Sequence, residues 1–359
     1  MAIVTLYGHE TIRRRLIRMT ESSTLPGSLL LEGRRGIGKQ RLALWLAQYL
    51  VCERDSSAAR PCGTCMACRY VLDLRHPDVY WFYPRPRLKD ADATPQEVLE
   101  DFGESNLERL AKHGLYPRPS GSEGIFLVTI RTLVQRAALA PSLGRRKIFI
   151  IGDAERMVSQ EGADQAANAF LKLLEEPPAD TTIILTSSEP GALLPTIQSR
   201  VVGIRCAPLS REEVLSFVRD PAVKDALDAL DLPRADAERV MIANGAPGDL
   251  LSMQSRAAAR DAARRLLRGA STSGAERYAT VLAQGSASAR GAFSDSLGEL
   301  NVLLRDRAER ALASDDTATA YAASKAMAAV CEAQARAEGN VSPALISTAL
   351  LRALERVPA

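Results

Sequence analysis

Residues 28–50 constrain this chain more than any other stretch. A short apolar run, Ser28–Glu32 (SLLLE), leads directly into Gly33–Gln40 (GRRGIGKQ), and Leu42–Leu50 (LALWLAQYL) then carries apolar residues at helical spacing. Strand, glycine loop and helix in that order form a phosphate-binding unit: backbone N–H groups, a helix N-terminus and the Lys39 ammonium can together surround an anion. The loop fits GxxxxGK[ST] except at its last position. Gln40 stands where a Ser or Thr hydroxyl would hold Mg²⁺. Its carbonyl could approach a cation only on a longer and floppier arm.

Such a loop works with an apolar strand that ends in acidic residues, one holding the metal and one polarising the attacking water. The strand Lys147–Ile151 (KIFII) is followed by Gly152, Asp153, Ala154 and Glu155. In one register Gly152 replaces the metal Asp and Asp153 falls where the Glu belongs. In the other, Asp153 is the metal ligand and Ala154 replaces the Glu. Either way one carboxylate is missing. With Gln40 this makes two losses, independent in sequence, at one reaction centre, and the expectation is a site that does not hydrolyse ATP.

Four of the six cysteines cluster as Cys52-x9-Cys62-x2-Cys65-x2-Cys68. Four thiolates suffice for a closed tetrahedral site, which suits structural zinc, and the spacing lacks the C-x3-C-P ending of ferredoxin clusters. Cys206 and Cys331 stand alone and are expected to be small buried apolar residues.

Elsewhere, Asp78–Tyr83 (DVYWFY) and Thr182–Thr186 (TIILT) predict strands, and Ile130–Leu139 and Ala163–Glu175 predict helices, the second stopping before Pro177 and Pro178. Apolar strands alternating with helices imply an α/β fold with a mostly parallel sheet covered on both faces. Residues 84–123 interrupt it with five prolines and many charges, and read as an irregular surface excursion with one helix near 96–113. Strands end at about Ala207. Ser210 and Glu213 form a capping box, amphipathic helices follow, residues 257–260 mark a junction between helical domains, and Ser342 with Pro343 opens the last helix. With 46 basic and 43 acidic residues in 359, the net charge of +3 gives no argument for DNA binding. No apolar run approaches the length of a membrane span, and the N-terminus lacks a signal-peptide core, so the expected location is the cytoplasm.

Several motifs together resemble the bacterial clamp-loader subunits of the AAA+ superfamily, within the DNA polymerase III holoenzyme. They are Gly33–Lys39, the four-Cys insertion, Ala140–Ile151 (APSLGRRKIFII), Asn168–Pro178 (NAFLKLLEEPP) and Leu194–Arg200 (LPTIQSR). The likeness covers residues 1 to about 255 firmly, and Gly339–Pro343 with its Leu-rich helix is similar to the family's collar. It implies an AAA+ P-loop-like domain at 1–207, carrying the zinc insertion at 52–68 and the excursion at 84–123. A helical lid at 208–256 and an all-α collar for oligomerisation at 257–359 follow. The family's motor subunit, gamma/tau, keeps GKT, an Asp-Glu pair and an Arg in its lid. Here Gln40, Gly152-Asp153 and Gly248 stand instead, which points to the delta-prime branch, the motor's non-hydrolysing neighbour.

The resemblance further implies that Arg200 acts in trans as an arginine finger on nucleotide held by the adjacent motor subunit. The usual Ser-Arg-Cys is here Ser199-Arg200-Val201. Gly33, Gly36, Gly38 and Lys39 would form a degenerate phosphate loop whose ATP binding is left open, with Cys52, Cys62, Cys65 and Cys68 holding zinc. Ser187 and Ser188 receive no catalytic role. Expected partners are the gamma/tau and delta subunits and, indirectly, the sliding clamp and primer-template DNA, in a nucleoid-associated replisome. The rival readings are an active gamma/tau-like ATPase with a divergent metal site and a zinc-dependent DNA-binding module.

Overall fold

The computed structural model describes residues 2–88, 93–119, 123–157, 164–230, 232–272, 274–282, 289–338 and 341–355. Ala163, Gly339, Asn340 and parts of the 84–123 excursion, all singled out above, lie outside them. The chain divides into two compact units, Met1–Arg118 with Gly124–Leu251, and Ser252–Ala359 with Pro119–Glu123.

The first unit begins with α1 (Glu10–Glu21), β1 (Ser28–Glu32), α2 (Lys39–Val51), α3 (Met66–Leu72) and β2 (Val79–Phe82). It continues with α4 (Pro95–Ala111), α5 (Leu127–Ala137), β3 (Lys147–Ile151), α6 (Asp164–Glu175), β4 (Thr181–Ser187), α7 (Pro195–Gln198) and β5 (Val202–Arg205). Helices α8 (Arg211–Arg219), α9 (Pro221–Asp228) and α10 (Asp236–Ala243) complete it. All strand pairs are parallel, in the order β2-β3-β4-β1-β5. β3 and β4 are buried along their whole length, as strands covered on both faces must be. β1 pairs with β4 so that Glu32 lies opposite Ser187, and the glycine loop therefore starts level with the C-terminal end of β4. The end of β3 is tied to its neighbour β2 by Gly152 N–H donating to Phe82 O at 2.7 Å.

β5 was not anticipated. Only Ile204 of its four residues is buried, and Gly203 lies in its centre. An edge strand with one inward side chain carries almost no periodic signal. The excursion is also more ordered than its composition suggests. Thr94 and Glu97 form a full capping box with Pro95 at the first helical position, and α4 buries Val98 and Phe102. Helices α8 to α10 bury Val214, Val218, Val223, Leu227, Val240 and Ala243 in the same core as the sheet. The capping box of α8, Ser210 with Glu213, is present.

The regular elements among the second unit's described residues are all helices: α11 (Met253–Ala270), α12 (Gly274–Leu282), α13 (Ala289–Ala313), α14 (Thr317–Glu338) and α15 (Pro343–Leu354). Leu266, Leu297, Leu300, Leu304, Val330 and Leu351 are at its centre. α11 runs unbroken through 257–260. Ser342 occupies the N-cap of α15, but its side chain makes no capping hydrogen bond. Cys331 is exposed, against expectation, whereas Cys206 is buried.

Candidate functional site

Four separate stretches of sequence meet at the C-terminal ends of β1, β3 and β4, which is where parallel sheets place ligands. The glycine loop enters from β1. Gly33 N–H donates to Ser187 O at 3.2 Å, and Cys206 N–H donates to Glu32 O at 2.7 Å. Gly36 has φ +79°, and a Cβ there would lie 2.9 Å from the Asp249 carboxylate. Only glycine satisfies both the left-handed backbone and the close approach.

Lys39 does not point out of the loop. It is 5% exposed, and its ammonium donates to Gly33 O (2.8 Å), Arg34 O (3.0 Å) and Ser188 Oγ (2.9 Å). All three donors of the ammonium therefore have partners within the chain. Burial holds its pKa below the usual lysine value, against the opposing pull of Asp153 and Glu155. Ser188 is thus the anchor that joins the lysine to the end of β4.

Gln40 is 9% exposed. Its Nε2 donates to Asp153 Oδ2 at 3.1 Å, and its Oε1 accepts from Trp81 Nε1 (3.0 Å) and the Tyr116 hydroxyl (3.1 Å). The indole N–H can only donate, so the amide orientation is set by its partners. The carbonyl that could have approached Mg²⁺ is already occupied by two hydrogen bonds. A Cβ on Gly152 would sit 2.4 Å from that same Oε1. The two losses read as independent from the sequence are therefore one packing arrangement.

The sequence reading passed over Glu155. Asp153 takes a left-handed conformation, φ 48°, and the short 3₁₀ turn Ala154–Arg156 folds Glu155 back under the loop. Its side chain is 5% exposed. Oε1 accepts the Ser188 N–H at 3.1 Å, and burial raises its pKa. No spacing rule would have found it, because a single left-handed residue brings it there.

The segment Asn244–Asp249 covers the loop. Gly248 N–H donates to Gly36 O at 2.8 Å. A Cβ at Gly248 would be 3.0 Å from Gly36 Cα. Arg34 reaches Asn244 O at 2.9 Å and Asp249 at 3.4 Å. His9 lies beneath, with its ring Nε2–H bonded to Ile37 O at 2.7 Å.

Arg200 lies apart from these groups, 30% exposed at the end of α7. Its Nε pairs with Glu175 at 3.1 Å, and Nη1 donates to Thr196 O at 3.0 Å.

The four cysteine sulfurs lie within 4.8 Å of one another, close enough to bind one metal ion. A tetrahedron of Zn–S bonds of about 2.3 Å sets its sulfurs about 3.8 Å apart. The local chemistry fits such an ion. Cys65 N–H points at Cys62 Sγ (3.3 Å) and Cys68 N–H at Cys65 Sγ (3.4 Å). The first of these N–H groups, with Thr64, draws the Cys62 thiol down to about 5. Burial pushes Cys68 the other way.

This is a P-loop α/β domain in which the lysine is engaged by the loop's own carbonyls and Ser188, and Gln40 by Asp153, Trp81 and Tyr116. The family described as "DNA polymerase III, delta subunit" matches residues 8–210, more than half of the sequence, and the chain belongs to that family. It is 34% identical over 177 residues to the DNA polymerase III subunit delta' of Pseudomonas aeruginosa, covering 49% of this chain and 42% of that protein. To the Bacillus subtilis subunit delta' it is 28% identical over 203 residues, covering 56% and 49%. The Escherichia coli subunit tau is 28% identical over 207 residues, covering 58% and 26%. The chain thus spans about half or less of the length of these curated relatives. A solved Thermotoga maritima structure, described as gamma subunit-related, covers 96% of this chain and 98% of its own at 18% identity. Its TM-score of 0.36 is too loose to add to the sequence matches. Among the described residues no helix is long and apolar enough to cross a membrane.

Proposed function

We propose that the chain is a delta-prime-type component of a DNA polymerase III clamp loader, an assembly member that turns over no ATP itself. The observation that carries this reading is the Gln40 amide. It bonds to Asp153 Oδ2 with its nitrogen and holds two donors at its oxygen, so its carbonyl is not open to Mg²⁺ and the Asp153 carboxylate is shared with an amide donor as the site stands. The gamma/tau-like alternative needs that oxygen or that carboxylate.

In this reading the contribution to catalysis is made in trans by Arg200. An arginine finger neutralises charge on the transferring phosphoryl group of a neighbour's nucleotide. The Glu175 bridge that holds Arg200 is partly solvated, and such pairs contribute only about 0–1 kcal/mol. Redirecting the guanidinium towards an incoming phosphate is therefore inexpensive. Helices α8 to α10 act as the lid and α11 to α15 as the collar. Cys52, Cys62, Cys65 and Cys68 hold a structural zinc; when bound, it supplies positive charge that stabilises four thiolates and cross-links α3 to the end of α2. Motor (gamma/tau) and delta subunits are the partners, with the sliding clamp and primed DNA met through the assembly.

The test is reconstitution with the motor and delta subunits of the same organism. The account expects co-elution of all three and primed-DNA-stimulated ATPase that collapses when this chain is omitted. Full stimulation without it would refute the assignment.

A further inference from the structure

The metal-binding corner of a P-loop domain lies where the first turn of the loop's helix faces the end of the acidic strand. In this chain that corner also takes in Trp81 from β2 and Tyr116 from the excursion. We propose that Gln40 and Gly152 are a matched pair, and that the amide at this corner anchors the 84–123 excursion onto the sheet. The proposal is independent of the clamp-loader assignment.

The first argument is volume. A Cβ at position 152 would lie 2.4 Å from Gln40 Oε1, 2.5 Å from Cδ and 2.7 Å from Nε2. The amide lies flat on the glycine, and any side chain at 152, a metal-binding carboxylate included, must displace it. Gly152 is itself fixed by its N–H bond to Phe82 O at 2.7 Å and cannot retreat without opening the β2–β3 edge. The amide also cannot move freely, because three partners hold it.

The second argument is where those partners come from. Asp153 lies just beyond β3, Trp81 is in β2, and Tyr116 belongs to the excursion. Tyr116 does not act alone. The Arg109 guanidinium, from α4, lies 3.2 Å from the Tyr83 ring centroid, 3.7 Å from Tyr116 and 4.6 Å from Trp81. Tyr83 also donates to Asn106 at 3.0 Å, and Arg85 pairs with Asp101 at 2.7 Å. Two aromatic residues thus bond directly to the Gln40 amide, and both stack on a cation carried by α4. The cation–π and hydrogen-bond contacts form one continuous set running from the loop's helix through the amide to the excursion.

Loss of the metal ligands and attachment of the excursion are therefore a single structural exchange. A hydroxyl at position 40 would be too short to reach Trp81 and Tyr116. A carboxylate at position 152 would expel the amide that does reach them. A hydroxyl at 40 together with a carboxylate at 152 would remove the amide and, with it, the excursion's bond through Tyr116.

A thermal-denaturation cycle on the full chain tests this. Gly152→Ala in the native background should lower Tm by about 5 °C, from overpacking against a held amide. In a Gln40→Ala background the same substitution should cost about 1 °C or less. Equal costs in the two backgrounds would overturn the pairing. Should Gly152→Ala fail to fold, hydrogen exchange on Gln40→Ala decides the anchoring claim. Faster exchange confined to β2, α4 and residues 115–116, with α8–α10 unchanged, supports it; uniform or absent change overturns it.

Discussion

Asp78 is the best-supported single charge in the α/β unit. It is 1% exposed, and its carboxylate accepts the backbone N–H groups of Ser142 (2.5 Å), Leu143 (2.7 Å) and Gly144 (2.7 Å). Burial favours the neutral acid, but the three N–H groups prevail and hold its pKa below the usual carboxylate value. A depressed folded pKa stabilises the fold above the unfolded pKa, about 3.9, and that stabilisation is lost as pH falls through the folded value. Asp78→Asn should cost about 1–3 kcal/mol at pH 7 by urea denaturation. The gap from the native chain should narrow as pH falls below about 4; a gap that widens on acidification would contradict this account. At this scale the site was only partly legible. Gly33, Gly36, Gly38, Lys39 and Gln40 announce themselves by spacing, and so do the four cysteines. The Gln40–Gly152 contact does not, because no local pattern links residues so distant in sequence. Glu155 was hidden by the left-handed turn at Asp153.

Among the elements, legibility followed burial. β1, β3 and β4 are continuous apolar runs, and each is found within a residue or so of where composition puts it. β5 escaped because three of its residues are exposed. Helix α4 was foreseen near its observed span, but the capping residues Thr94 and Glu97 that open it were not. The gathering of the four cysteines was legible because ligand spacing is a local property; the short α3 among them was not, since its seven residues give fewer than two turns of periodicity. For this lobe the account predicts about one zinc per chain by metal analysis of native protein. Chelation should melt the lobe between α2 and α3, read by faster hydrogen exchange over 52–72, and leave the strands protected. A metal-free native chain with a fully protected lobe would remove zinc from the account.

For the whole molecule, the parallel sheet followed by helices was legible from the order of apolar runs alone. The family assignment rests on residues 8–210, and the helices from Met253 onward make a second compact unit with its own core. What sequence could not show is how the glycine loop is closed: by Lys39 turned onto its own carbonyls, by Gln40 locked among three partners and by Gly248 seated on Gly36. The account's central claim is that this chain's reaction centre is engaged internally while its catalytic contribution passes to a neighbour. The most direct measurement compares two variants in the reconstituted complex, with primed-DNA-stimulated ATPase as the readout. Arg200→Ala should lower turnover at the adjacent motor site by about 10³-fold or more, the scale of an arginine finger. Lys39→Ala should leave turnover essentially unchanged. A large loss with Lys39→Ala and none with Arg200→Ala would contradict the account.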